Sequence, residues 1–211
     1  MTIAQAGPQR RSPLFGRDVL ASPDGAARLE DRAFLAKVIL RGEHKAVQAG
    51  VKKSLGAELP ALSPHTAKGS SESVLWLSPD EWMVVGAADS ESDIQQRLSD
   101  ALSGVHHQVA NVTDYYTTIS LSGSAARSVL MKLTMLDVHK RAFKAGEVRG
   151  TMLMHCQAII HQTAEDDADG PAFDIHVRWS MADYLWCLIA EAGREFGLPA
   201  QTPITGERLV I

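Results

Sequence analysis

The sequence predicts an α+β fold made of pseudo-duplicated, split βαβ (ferredoxin-like) modules. Strand-like and helix-like runs alternate in a short rhythm that passes through the chain twice. Three of the four helical stripes end at a glycine, the usual left-handed stop. With 211 residues, 45% of them hydrophobic, the chain can bury a core without disulfides or a metal.

Residues 1–28 carry Pro8, Pro13, Pro23 and scattered glycines without periodicity. They predict a flexible N-terminal arm, disordered or laid on a partner. A single α+β domain is expected over 29–211, with pseudo-repeats at about 29–113 and 114–211. In the first repeat AFLAKVILRG alternates loosely, contains Val38 and Ile39, and reads as a strand ended by Gly42. Val47, Val51 and Leu55 recur at i, i+4 and i+8 before Gly56, which predicts a short helix. Leu59 to Ser73 reads as a loop. SVLWLS and EWMVVGA flank Pro79 and Asp80 and predict a hairpin. Ser90 and Asp93 form an S-x-x-D capping signal before the stripe Ile94, Leu98, Ala101, Leu102, stopped at Gly104. HHQVANVT closes the β-α-β-β-α-β order.

The second repeat opens on YYTTISL, rich in β-branched and aromatic residues. Ser122, Gly123 and Ser124 then lead into a helix with apolar face Ala126, Val129, Leu130, Leu133, a serine capping its first turn. RGTMLMH, AIIHQT and FDIHVRW predict three strands. Ser180 and Asp183 repeat the capping signal ahead of Leu185, Leu188, Ile189, Ala192 and Phe196, ended by Gly197 and Pro199. RLVI at the C-terminus reads as a last strand.

Several function classes are excluded by composition. With 21 basic and 25 acidic residues the net charge is −4, against a nucleic-acid binder. No apolar run approaches the roughly 18 residues of a membrane span, and Arg10 and Arg11 lack the apolar stretch of a secretory signal. Cys156 and Cys187 form no CxxC, which suits a reducing, cytoplasmic compartment.

No string of residues names a catalytic site. Glu165–Gly170 imitates the start of a calcium loop, but its twelfth position is His176 where a bidentate carboxylate is needed, so a hairpin loop is expected. The eight histidines form no H-E-x-x-H, and His155, His161 and His176 fall in strands; no metal is expected. The G-x-S-x-G elbow fails because position 126 is alanine, and no phosphate-binding glycine string occurs. Both cysteines read as small hydrophobes. Among the aromatic residues Trp82 is expected in the core. Trp186 and Tyr184 fit either core and rim packing or a partner interface.

Four strings carry a resemblance: LSPDEWMVVG, ISLSGSAARSVLMKL, LDVHKRAFKAG and FDIHVRWSMADYLWCLIAEAGREFG, in this order within roughly residues 30 to 200. They resemble the gamma-subunit family of heterotetrameric sarcosine oxidase, itself related to the folate-binding domain of the glycine-cleavage T-protein. The resemblance implies an aminomethyltransferase-like fold and a subunit inactive when isolated. Its complex would oxidatively demethylate sarcosine to glycine, yield hydrogen peroxide, and pass a one-carbon unit to tetrahydrofolate or release formaldehyde. FAD, FMN, NAD and tetrahydrofolate are then expected in partner subunits and none on this chain alone. The alpha subunit is the implied direct partner, with beta and delta in the complex. T-protein-like enzymes carry a glycine-rich turn and paired aspartates before the hairpin. Here KGSSESVLWLS leaves Glu72 the only acid, against the alternative of a stand-alone folate-binding or aminomethyltransferase-like protein.

Overall fold

A computed structural model describes residues 10–165, 167 and 169–204. In chain order it contains β1 (Leu20–Ala21), β2 (Arg28–Asp31), β3 (Leu35–Gly42), α1 (His44–Leu55), β4 (Thr66–Lys68), β5 (Ser73–Ser78), β6 (Glu81–Ala88), α2 (Glu91–Ala101) and β7 (His107–Asn111). Then follow β8 (Tyr116–Ser122), α3 (Ala126–Met131), β9 (Val148–Leu153), β10 (Cys156–Ala164), β11 (Ala172–Arg178) and α4 (Ala182–Ala192).

The strands form two antiparallel sheets that share one strand order. One runs β7-β3-β6-β5-β4 and the other runs β2-β8-β11-β10-β9, with β1 added outside β2. In chain order a helix follows the first of these strands and another follows the fourth, so β3-α1-β4-β5-β6-α2-β7 matches β8-α3-β9-β10-β11-α4 up to the last strand. That last place is held by β2, which pairs antiparallel with β8 from Arg28↔Ser122 to Asp31↔Ile119. The strand expected at RLVI lies outside the described residues. β4 lies inside the stretch read as a loop; it is three residues long, too short for alternation to show.

Strand periodicity divides each sheet's residues between two faces. Ala36, Val38 and Leu40 of β3, Val74 of β5, and Trp82 and Val84 of β6 pack under α1 and α2 with Val47, Val51, Leu55, Ile94 and Leu98. Phe173, Ile175 and Val177 of β11 and Ile119 and Leu121 of β8 pack under α3 and α4. The opposite faces meet, where Leu75 and Met83 of one sheet touch Val148 of the other with Ile39, Val85 and Ile159 around them. The order of layers is helices, sheet, sheet, helices.

The expected arm is corrected for its described part. Leu14, Leu20 and Ala27 are buried in the second core, and Arg10 and Arg17 reach Asp114 and Asp183. Residues 10–28 therefore cover the chain's own second sheet. Gly123 marks the crossing: its φ is 108°, and a Cβ there would collide with the Ala26 carbonyl.

The capping expectations also need correction. Ser90 stands at the N-cap of α2, but its hydroxyl donates to the Ala87 carbonyl at 2.7 Å and caps no amide. Ala125 holds the N-cap of α3 without a side-chain bond. A 3₁₀ turn over Trp179–Met181 shifts the start of α4 past Ser180. A short polar side chain that finds a nearer backbone partner is lost to the cap. The side-chain cap that does form, Glu43 accepting from the Ala46 amide at 2.8 Å, belongs to α1.

Candidate functional site

Between the sheets the apolar contact gives way to a buried polar cluster. β11 reads F-D-I-H-V, so with Phe173, Ile175 and Val177 on the helix side, Asp174 and His176 face the other sheet. β3 supplies Lys37 by the same alternation. Lys37 and His176 are fully buried and Asp174 nearly so. The Lys37 ammonium donates to the Leu35 carbonyl at 2.8 Å. Arg32 pairs with Asp174 Oδ2 at 2.6 Å, and Thr118 Oγ1 lies 2.9 Å from His176 Nδ1. Among the described residues His176 Nε2 has no hydrogen-bond partner, while the Ser120 hydroxyl, opposite Asp174 across β8 and β11, joins Arg32 in stabilising the Asp174 carboxylate.

Burial sets the protonation of this cluster. It pulls Lys37 down to about 8, with Arg10 acting in the same direction. It pulls His161 down to about 4 and His176 well below its ordinary value, so both imidazoles are neutral near pH 7. The Asp174 carboxyl is pushed up by burial against the opposing pull of Arg32.

A cavity of about 300 Å³ opens beside the cluster, walled by Arg32, Ser71, Ser73, His161, Thr163 and Asp174 among others. A second hollow, about 550 Å³, shares Ser73, His161 and Thr163 and adds Lys68 and Glu165. Glu72 does not take part. Ser71 and Ser73 face the cavity, and the residue between them turns to the helix side. There the Glu72 carboxylate is held by Arg97 of α2, which also pairs with Asp93 at 2.8 Å and donates to the Ser54 carbonyl at 2.9 Å. Glu72 ties a strand to a helix and offers nothing to the cleft.

The two aromatic residues left between packing and interface differ in burial. Trp186 is fully buried in the second core with Ala182, Leu185, Ile189 and Ala190. At 100° from Leu185 it lies on the same side as Ala182 and Ala190, one turn away in each direction, and the buried stripe is wide enough to include it. Tyr184 is exposed, as are Trp179 and Tyr115. The Trp179 amide donates to the Tyr115 carbonyl at 2.9 Å, and the Arg178 guanidinium sits 5.5 Å from the Tyr115 ring centroid. Trp179 is the exposed tryptophan that sequence reasoning passed over; its position at a strand end, ahead of the helical stripe, was the available signal. Trp82 is in the core, its indole donating to the Pro60 carbonyl at 2.8 Å.

The remaining candidates are dispersed. His155 is exposed in the turn after β9, and His106 and His107 lie at the start of β7. β10 and β11 pair antiparallel, and of the acidic stretch that follows β10 only Glu165, Asp167, Asp169 and Gly170 are among the described residues. Among the described residues no three His, Cys, Asp or Glu side chains converge as metal ligands. Cys156 is buried and Cys187 half-buried, both as free thiols. No described helix is long and apolar enough to cross a membrane.

Two helix-covered sheets packed face to face define an aminomethyltransferase-like α+β protein. The glycine cleavage system aminomethyltransferase T from Bartonella henselae has this fold, with a TM-score of 0.58 at 15% identity over 79% of this chain and 46% of that one. The model of the sarcosine oxidase, gamma subunit family matches residues 41–195. The sarcosine oxidase subunit gamma of an Arthrobacter species is 32% identical over 170 residues, 78% of this chain and 82% of its own length. A chain of the heterotetrameric sarcosine oxidase from Corynebacterium sp. U-96 superposes with a TM-score of 0.80 at 26% identity, covering 92% of this chain and 98% of that one. The chain belongs to the sarcosine oxidase gamma subunit family.

Proposed function

We propose that this chain serves as a non-catalytic gamma subunit in a heterotetrameric sarcosine oxidase that demethylates sarcosine to glycine and forms hydrogen peroxide. The one-carbon unit passes to tetrahydrofolate or leaves as formaldehyde. FAD, FMN, NAD and tetrahydrofolate are held by the partner subunits. The alpha subunit is the direct partner, beta and delta complete the complex, and the assembly works in the cytoplasm. Tyr184, an exposed aromatic residue, belongs to the alpha-facing surface.

The observation that carries a supporting role is the engagement of Glu72. It is the only acid in the stretch where a one-carbon transfer carboxylate would stand, and Arg97 holds it on the helix side of its sheet. Coexpression with an alpha-like subunit is the test. Copurification is expected, with oxidase activity in the complex and none in the chain alone. Recovery of the chain alone with alpha present would overturn the proposal. Calorimetry with tetrahydrofolate tests the stand-alone alternative, which requires tight binding that Glu72→Ala abolishes.

A further inference from the structure

Four methionines share one hollow at the β9 end of the second sheet. Met131, Met135, Met152 and Met154 line a depression of about 570 Å³, with Thr134 and Thr151 among its other walls. Their convergence has local causes. Helix α3 buries Ala126, Val129 and Leu130, which leaves its last residue, Met131, facing outward. On β9 the residue before buried Leu153 points the opposite way, and that residue is Met152. Met154 takes a left-handed turn after β9, with φ at 51°, and its amide donates to the Leu133 carbonyl at 2.7 Å. The Thr134 and Thr151 hydroxyls add a second tie at 3.0 Å. These bonds hold the β9–β10 hairpin against the segment after α3 and gather thioethers that the sequence keeps in two pairs.

Exposure separates this group from the remaining described methionines. The four are 59%, 103%, 50% and 46% exposed in chain order, whereas Met83 is fully buried between the sheets and Met181 packs against the second core. Single exposed hydrophobic residues are ordinary, but several in one hollow mark a surface with a task. We propose that the hollow is a modification site for hydrogen peroxide, at which these four thioethers become sulfoxides ahead of the other described methionines. A sulfur lone pair attacks one peroxide oxygen and the O–O bond breaks. The departing hydroxide takes the proton left on the transferred oxygen and becomes water. Sulfur is oxidised by two electrons and the peroxide is reduced by the same two. A flexible apolar side chain is thereby replaced by a polar, chiral one, and methionine sulfoxide reductases reverse the change. The hollow changes character while the core, with Met83, stays intact. For its oxidant the site relies on the oxidase role proposed for the complex; its geometry does not.

The test is peptide mass spectrometry of the full chain during incubation with hydrogen peroxide, reading the gain of one oxygen at each methionine. Oxidation of Met131, Met135, Met152 and Met154 at least tenfold faster than that of Met83 and Met181 is expected, with an unchanged circular dichroism spectrum as they convert. In the coexpressed complex, turnover of sarcosine should oxidise the same four, and added catalase should prevent it. Equal rates at Met83 and the four, or loss of the folded spectrum as they convert, would overturn the proposal. Protection of the four in a complex that turns over sarcosine would overturn it as well, because a partner would then cover the hollow. Should no complex form, the subunit proposal falls by itself, and the reaction of the chain alone with added peroxide decides the site.

Discussion

Arg17, in the N-terminal segment, donates through Nε to Asp183 Oδ1 at 2.9 Å, joining residues 166 positions apart at the first turn of α4. The same aspartate accepts from the Ile204 amide at 2.8 Å, and Arg17 also reaches Gln201 at 2.8 Å and the Thr202 carbonyl at 2.7 Å. Arg17's side chain is 7% exposed and Asp183's 25%, so water replaces little of what either loses. Arg17→Ala should destabilise the fold by about 2 kcal/mol, on the order of one charge-assisted bond plus an underpaired carboxylate. For a chain of this size that lowers Tm by roughly 4–8 °C, which differential scanning calorimetry would register. An unchanged Tm would show that the N-terminal segment adds nothing to the second core.

Two aromatic neighbours on α4 should separate stability from assembly. Trp186 is fully buried, and Trp186→Ala should cost about 3–5 kcal/mol in urea unfolding. Tyr184 is 39% exposed, so Tyr184→Ala should change stability by less than about 0.5 kcal/mol while weakening copurification with the alpha subunit. Undiminished copurification would exclude Tyr184 from the contact.

His161 gives the fold an acid-sensitive term. Its folded pKa, lowered by burial from 6.5 to about 4, lies below the unfolded value, so the unfolded chain binds the proton first as pH falls. Its contribution is complete above pH 6.5 and is lost progressively toward pH 4, about 3 kcal/mol in all. His176 acts in the same direction, and Asp174, raised by burial, opposes it. The difference between wild-type and His161→Asn unfolding curves at pH 7 and pH 4.5 isolates the term. Parallel curves would mean that His161 titrates alike in both states.

Gly123→Ala tests the crossing of the N-terminal segment. The new methyl group would enter a residue with φ at 108° and press on the Ala26 carbonyl. A loss of about 2–4 kcal/mol is expected from backbone strain and overpacking together, measured by urea titration. A near-neutral result would show that residues 25–27 move aside freely.

The first sheet was legible because its signals are local. β3, α1, the β5–β6 hairpin, α2 and β7 occupy the predicted segments, each written in its own periodicity and closed by a nearby turn residue. The N-terminal segment was misread because β2 draws its stability from β8, about ninety residues on, and its own four residues carry no pattern. Trp186 stayed open between core and interface because α4 buries a stripe wider than its strongest period. The polar cleft was half visible. Asp174 and His176 stand at the alternate positions of a strand that reads as solvent-facing on one side, and only the second sheet turns that side inward. Lys37 gave no warning for the same reason. A one-dimensional pattern marks a polar face without saying what covers it.

The placement of β2 makes the two halves inseparable by cutting. A nick between Asn111 and Tyr116 would release no free module, because the N-terminal fragment carries an outer strand of the sheet built by the C-terminal one. The fragments would remain a complementing pair, and neither alone would possess a complete second sheet. By the same token a ribosome-bound chain holds β2 in waiting until β8 emerges, so the first strands made are among the last to find their places.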